Sequence, residues 1–484
     1  MRNIFQPASS DKSRILFNSI IVTGGTVIEK IVFFIVSIVI ARYLSVEHYG
    51  EYSTALGYAT FFSVFTDLGM NVTLLRVINL DPEKKNHYYA NSLVIKAVIS
   101  LMIYGVMALS LHFTNYNHDT VLLTLILGLV RFGNEFHKTY YAFFDAEEKF
   151  FTTSLINLAY SILFLVGTVA VVFMKGNYYY IALVRLLFII MILELLIIYT
   201  RRFYRFEFRR DLLASFLRSM VPFFFYIVFY TVLLRINVII LSLMKGTLYA
   251  GYFTNGYIFF ISLTFIPTNF NRILVPYLYK TSFSEDPQKF QFTFDVFSKF
   301  FGILSFYTMT VLYLYAEEII LIIFGDKYLN SAGVLRIMSF CIPLLFNIAT
   351  ILITALDRQK YNTRFIGVAT GVNIAANFIL IHYLRESGAA LAMVIAYVII
   401  FLLSHYYLFR KKYIRLSRSV VTFFSLGCLA GACFFIHTFL LSGVFWGLSF
   451  VAVSVFFGLV SALVIMRPDD FRVIKKTLRP ESKK

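Results

Sequence analysis

Residues 180–218 read YIALVRLLFIIMILELLIIYT and then RRFYRFEFRRDLLASFLR. The first part is apolar except for Arg185 and Glu194, and it is long enough to cross about 30 Å of hydrocarbon as a helix. The second part carries six arginines in 18 residues. Such a change marks a helix leaving a bilayer on the side that retains Lys and Arg.

Working outward, the same apolar pattern recurs at 15–44, 52–75, 89–113, 120–144, 151–174, 219–244, 250–275, 297–323, 334–355, 365–384, 389–409, 420–441 and 445–466, giving about fourteen segments in 484 residues. When the two tails and alternate loops are assigned to one side, that side holds 30 of the 44 Lys and Arg. The other side holds only Lys175, Lys245, Lys327 and Arg385. A missed or invented span would scramble this alternation, so the segment count and the placing of both termini in the cytoplasm support each other. With 59% hydrophobic residues and 14% charged, the chain reads as an all-α polytopic membrane protein of about 14 transmembrane helices. None of the segments shows the alternation of barrel strands. The first segment is too long for a signal-peptide core, so no cleavage is expected.

The net charge of +18 belongs to this sidedness and calls for lipid headgroups, with no nucleic acid as partner. Cys341, Cys428 and Cys433 all fall inside spans, which implies no disulfide framework. No stretch outside the spans exceeds roughly 20 residues, too short for a soluble catalytic domain. Phosphate-binding loops, metal-ligand clusters and nucleophile elbows are all missing from the sequence. Asp469 and Asp470 read as a solvated pair in a basic tail. These features point away from an enzyme, and no cofactor is called for.

Sliding the chain by 200 residues superposes Tyr49, Tyr52, Thr54, Phe65, Asn71 and Leu74 on Tyr249, Tyr252, Thr254, Phe265, Asn271 and Leu274. A similar offset lays Lys149, Phe150 and Thr152 on Lys360, Tyr361 and Thr363. The expected organisation is two pseudo-symmetric six-helix bundles plus two C-terminal helices. Bundle 15–200 is followed by a basic cytoplasmic linker at 201–218 and a second bundle at 219–409, then by helices 13–14 at 420–466 and a basic tail at 467–484. Paired bundles of this kind hold their site near the midplane and work by rocking.

Ten basic residues remain inside apolar segments, where a charge is costly unless it faces protein or water. Arg42, Arg185, Lys299 and Arg336 lie near segment ends, where snorkelling to the interface accounts for them; Lys96 is intermediate. Lys30 stands mid-span beside Glu29. Arg131, Glu135 and Lys138 follow helical spacing and share one stripe. Arg235 precedes Asn237, Arg272 follows Asn269 and Asn271, and Asn373 with Asn377 makes a further stripe. Lys30, Arg131, Lys138, Arg235 and Arg272 outnumber Glu29 and Glu135, and Asp67 and Glu194 narrow the surplus without erasing it. Buried excess positive charge points to an anionic substrate, bound by these cations with Asn373 and Asn377. Glu29, Glu135 and Asp67 are the candidates for ion coupling.

The chain resembles the Wzx-type polysaccharide flippases of the multidrug/oligosaccharidyl-lipid/polysaccharide exporter superfamily. Residues 41–52, ARYLSVEHYGEY, resemble that family's turn after its first helix, and Asp67-Leu68-Gly69-Met70-Asn71 follows. Pro222-Phe223, Arg235-Ile236-Asn237, Gly251-Tyr252-Phe253, Ile323-Phe324-Gly325-Asp326-Lys327-Tyr328 and Gly388-Ala389-Ala390-Leu391-Ala392 come in the family's order over residues 15–410. Many relatives carry Asp where this chain has Asn237, which weakens an ion-coupling role there. The resemblance implies an O-antigen or capsule flippase in the bacterial inner membrane. It would move an undecaprenyl-diphosphate-linked oligosaccharide outward by alternating access through a cationic cavity. It also implies a polysaccharide polymerase and other biosynthesis proteins as partners, and a lipid-tail groove formed with segments 13–14.

Two rivals share the superfamily: a lipid II flippase, differing in glycan, and a small-molecule or drug cation antiporter, which needs an acidic cavity. A membrane-embedded polymerase would need a large outer loop, and none is present. The topology is testable by fusions at the C-terminus: a fluorescent protein should light up there and alkaline phosphatase should stay inactive, and the reverse would break the sidedness assignment.

Overall fold

A computed structural model describes residues 11–147, 149–202, 204–270, 274, 287–414, 416–441, 444–466 and 470. Described residues form helices without strands, and the protein has the all-α polytopic fold read from the sequence. Contacts divide the chain into two compact units, Met1–Gly251 and Tyr252–Lys484.

The first unit contains α1 (Asp11–Tyr43), α2 (Val46–Asp67), α3 (Met70–Leu80), α4 (Lys85–Leu111), α5 (His118–Ala146), α6 (Phe150–Phe173), α7 (Tyr178–Thr200) and α8 (Leu213–Lys245), with the first turn of α9 (Thr247–Leu263). The second unit continues through α9 to α10 (Pro287–Leu314), α11 (Ala316–Phe324), α12 (Ser331–Ser339), α13 (Cys341–Leu345), α14 (Ile348–Ala355), α15 (Gln359–Arg410), α16 (Leu416–Leu440) and α17 (Trp446–Val460).

Among the described residues, ten helices are long and apolar enough to cross a membrane, or eleven when the pair Ser331–Ser339 and Cys341–Ala355, bent by 43°, counts as one span. Pro343 lies in that bent pair, where it removes a backbone donor. The 52-residue α15 joins two expected spans across Arg385, whose φ of 50° breaks the helix between them. Two further expected spans fall outside this test for local reasons. Arg131, Asn134, Glu135 and His137 make α5 too polar, and α9 has only 17 residues.

Helix starts follow the sequence chemistry. Ser45 caps α2 by accepting from the His48 N–H at 3.2 Å, and Asn117 caps α5 through the Thr120 N–H at 2.9 Å. The second expected span is broken into α2 and α3 at Leu68 (φ 49°) and Gly69 (φ 80°). In the first unit α2 packs between α5 and α8, α1 lies on α6, and α7 lies on α5.

Loops of like charge character gather at the same end of this unit. At one end, Lys85 pairs with Glu147 at 3.0 Å, and Asn91 exchanges two hydrogen bonds with the Arg209 backbone at 2.8 and 3.0 Å. Tyr89, Phe143 and Tyr204 pack there with centroids 4.4–5.3 Å apart, clamping the arginine-rich linker to α4 and α5. At the other end, the buried Glu51 accepts from Asn117 at 2.6 Å and Tyr178 at 3.1 Å, while the Tyr43 hydroxyl donates to the Gly176 carbonyl at 2.8 Å. Loops rich in Lys and Arg thus share one face, as alternating spans require.

In the second unit, α10 carries α16, and α16 carries α17. Tyr307 on α10 and Tyr315, between α10 and α11, reach Ser454 and Ser449 on α17 at 2.9 Å. Two expectations fail here. Asp470 is 2% exposed and pairs with Lys299 at 2.8 Å, so it is not a solvated tail charge, and Lys299 does not snorkel into water. A carboxylate returning from the tail satisfies the lysine inside the protein. Asp469 lies outside the described residues.

One helix crossing leaves no room for side chains. A Cβ on Gly50 would stand 1.9 Å from the Thr247 carbonyl oxygen, and one on Gly251 would stand 2.5 Å from that of Val46. Gly50→Ala should therefore cost about 1–3 kcal/mol by overpacking and lower the thermal midpoint. Gly24→Ala, with nothing within 4 Å of its Cβ, should leave the midpoint unchanged or raised. Equal midpoints for both variants would contradict the crossing.

The basic end makes a pH prediction. Burial alone would raise the Glu147 carboxyl, but bonds from Lys149 and Lys85, with the Tyr204 hydroxyl nearby, hold it at about 2, below its ordinary 4.5. A depressed folded-state value stabilises the protein above pH 4.5, and that contribution drains away as pH falls from 4.5 toward 2. Glu147→Gln should flatten the loss of thermal stability across this window, and an unchanged slope would refute the assignment.

Candidate functional site

The polar stripe of α5 faces inward in the first unit. Arg131, Glu135 and Lys138 line a cavity of about 210 Å³ with Asp67 and Ser63 from α2 and Arg235 from α8. Hydroxyls of Thr60, Tyr230 and Thr231 complete the polar wall. That volume equals roughly seven waters, on the scale of a small anionic group.

The charges do not cancel in pairs. Glu135, 2% exposed, takes Lys138 at 2.7 Å, and Asp67 takes Lys96 at 3.1 Å. Among the described residues, neither Arg131 nor Arg235 has a carboxylate within 4.0 Å. The Arg131 Nε is buried without a hydrogen-bond partner, as is the second carboxylate oxygen of Glu135. Buried polar groups left unpaired are costly, and the cavity wall carries two guanidinium groups without an ion-pair partner among the described residues, Arg131 being attracted by Glu135 from beyond ion-pair distance.

Two cations that sequence position passed over belong to this region. Arg185 is 8% exposed and does not snorkel. Its Nη1 donates to the Tyr52 hydroxyl at 3.3 Å, and its guanidinium lies 4.9 Å from the Phe164 ring centroid and 5.9 Å from that of Phe33. It stands near enough to Arg131 to repel it, as does Arg235, against a larger attraction from Glu135. Arg185 falls on the buried stripe Ile181, Ala182, Arg185, Ile189, Ile192 and Leu196 of α7. Because α7 is apolar all round, its sequence does not reveal which stripe is buried. Lys96 is fully buried, about three turns into α4. Its ammonium donates to Asp67 Oδ1 at 3.1 Å, Asn71 Oδ1 at 3.3 Å and the Glu135 carbonyl at 2.9 Å.

The remaining expected site residues lie elsewhere. Lys30 is exposed on α1 and Glu29 is half-buried, and neither lines the cavity. Arg272 lies outside the described residues. Asn373 and Asn377 are buried in the second unit, on α15, with Asn377 Nδ2 donating to the Asn373 carbonyl at 2.8 Å and its Oδ1 at 3.1 Å. That unit also holds an apolar cavity of about 500 Å³ lined by Phe306, Pro343, Phe401, Phe423 and Leu426 from α10, α13, α15 and α16.

Residues 39–333 match the family described as polysaccharide biosynthesis protein, well over half of the chain. The chain belongs to that family. Among curated proteins none matches this family member significantly. Among solved structures, it is similar to one titled lipid II flippase MurJ, inward closed conformation, with a TM-score of 0.73 and 16% identity over 94% of this chain and 100% of that one. An inward-facing multidrug resistance MATE family transporter of the MOP superfamily gives 0.62 and 14%, over 84% and 95%. A MOP superfamily transporter from Pyrococcus furiosus, whose title describes reversed polarity of the binding pocket, gives 0.53 and 11%, over 87% and 96%. At these identities the likeness is one of fold. The polysaccharide family member therefore shares its helical architecture with flippases and transporters.

Proposed function

We propose that this chain flips an undecaprenyl-diphosphate-linked oligosaccharide repeat unit from the cytoplasmic to the outer leaflet of the bacterial inner membrane, with both termini cytoplasmic. It does so by alternating access, as a transporter and not an enzyme. The observation that carries this reading is the pair of arginines, Arg131 and Arg235, that line the first unit's cavity with no carboxylate in ion-pair contact among the described residues. A diphosphate supplies the missing negative charge and enough acceptor oxygens for both guanidinium groups. Family membership supports a saccharide cargo. The apolar cavity in the second unit suits a prenyl tail. The wider division into bundles 15–200 and 219–409 goes with this mechanism, as do roles for Lys30, Arg272, Asn373 and Asn377 along the glycan.

Direction has a physical source. Carrying about two negative charges outward across an inside-negative potential is favourable by about 2.3 kcal/mol per charge per 100 mV. A cation antiporter would need acids free to attract its cargo, whereas Glu135 and Asp67 are both held by lysines. The fold likeness to a lipid II flippase supports a second reading with the same diphosphate chemistry and a different glycan.

The test is flipping of a fluorescent undecaprenyl-diphosphate oligosaccharide in proteoliposomes, with lipid II in parallel. Arg131→Ala and Arg235→Ala should each reduce flipping about tenfold or more, the worth of one charge-assisted contact, and Lys at either position should restore part of it. Full activity of both alanine variants would overturn the reading, and transport of lipid II alone would select the second one.

A further inference from the structure

The surroundings of Lys96 are those of a cation site. Three oxygens from three elements converge on its Nζ: Asp67 Oδ1 at the end of α2 (3.1 Å), Asn71 Oδ1 at the start of α3 (3.3 Å) and the Glu135 main-chain carbonyl on α5 (2.9 Å). Asn71 is held by a second bond, accepting from the Thr139 hydroxyl at 3.0 Å, and Thr139 also donates to the Glu135 carbonyl at 3.3 Å. A carboxylate, an amide oxygen and a main-chain carbonyl form a hard-oxygen set suited to a small monovalent metal cation. The elements follow the pattern of transporter ion sites, where a span breaks and its half-helix ends supply oxygens. Here the break is at Leu68 and Gly69, both with positive φ. The space is taken by an ammonium on a covalent arm from α4, completely buried.

We propose that the Lys96 ammonium is a tethered replacement for a mobile coupling ion, so that the cage of Asp67, Asn71 and the Glu135 carbonyl takes up no free monovalent cation in the native protein. Asp67 then neutralises a fixed charge and takes no part in ion exchange. Removing the arm uncovers the site, and sodium enters where the ammonium stood. The inference does not depend on which substrate is moved, because its test reads ion binding directly.

The experiment is thermal unfolding of the purified full chain in sodium, lithium, potassium or choline chloride at constant ionic strength. Wild type should show the same midpoint in all four. Lys96→Ala should be destabilised in choline and regain about 3 °C or more in sodium or lithium, by mass action on the folded state. The double variant Lys96→Ala, Asp67→Asn should lose that recovery, which an unspecific salt effect would not. Lys96→Gln serves the same purpose if the alanine variant folds poorly. A sodium response in wild type that Asp67→Asn removes would overturn the proposal, because a free ion would then bind beside the lysine. So would a folded Lys96 variant indifferent to the cation, or failure of both Lys96 variants to fold in every salt, since a vacated cage that no cation refills is only a structural staple.

Discussion

A lysine buried among polar groups inside the protein holds the first helical unit in register. Lys96 ties the end of α2, the start of α3 and the middle of α5 to α4, and its tie to Asp67 pairs a buried carboxylate. Without it the break at Leu68 and Gly69 would leave Asp67 as an uncompensated charge, a far larger cost than the break itself. The placement of Arg131, Glu135 and Lys138 on α5 follows, because the Glu135 carbonyl is one of the three anchors.

From that fixed frame the cavity draws its polarity. Two of its acids are consumed by lysines, and two of its arginines are consumed by nothing among the described residues. The asymmetry is one of geometry as much as of number. Lys96 and Lys138 have compact heads that reach a carboxylate, whereas Arg131 projects into the void and Arg185 rests against aromatic rings and a tyrosine hydroxyl. Guanidinium groups tolerate such desolvation better than ammonium groups and remain charged in it.

Much of this was legible in the sequence. The fourteen segments and the charge alternation follow from the bilayer acting as solvent, and that constraint acts on each segment alone. On α5 the charged residues interrupt an apolar helix at helical spacing, so its inward stripe could be read directly. Arg185 was harder because α7 is apolar nearly all round, and only its neighbours decide which face is covered; on α4 the buried Ser92, Lys96 and Ser100 share one face at helical spacing, a signal that distance from the segment end obscured. The Asp470–Lys299 pair was beyond reach for another reason: its partners stand 171 positions apart, and no local pattern links them. Distance from a segment end therefore proved a poor guide to whether a cation meets water.

The glycine crossing fixes how closely α2 and the first turn of α9 can approach. Val46 and Gly50 meet Gly251 and Thr247 in exchange, so that each glycine faces the carbonyl one turn ahead of the other. The two partners within each like pair are separated by nearly the same interval as the internal repeat. The contact is reciprocal, so a side chain added at either glycine would strike the other helix's backbone. The separation of the two backbones at this crossing is therefore set by the missing side chains themselves, and the surrounding residues pack to a distance they do not choose.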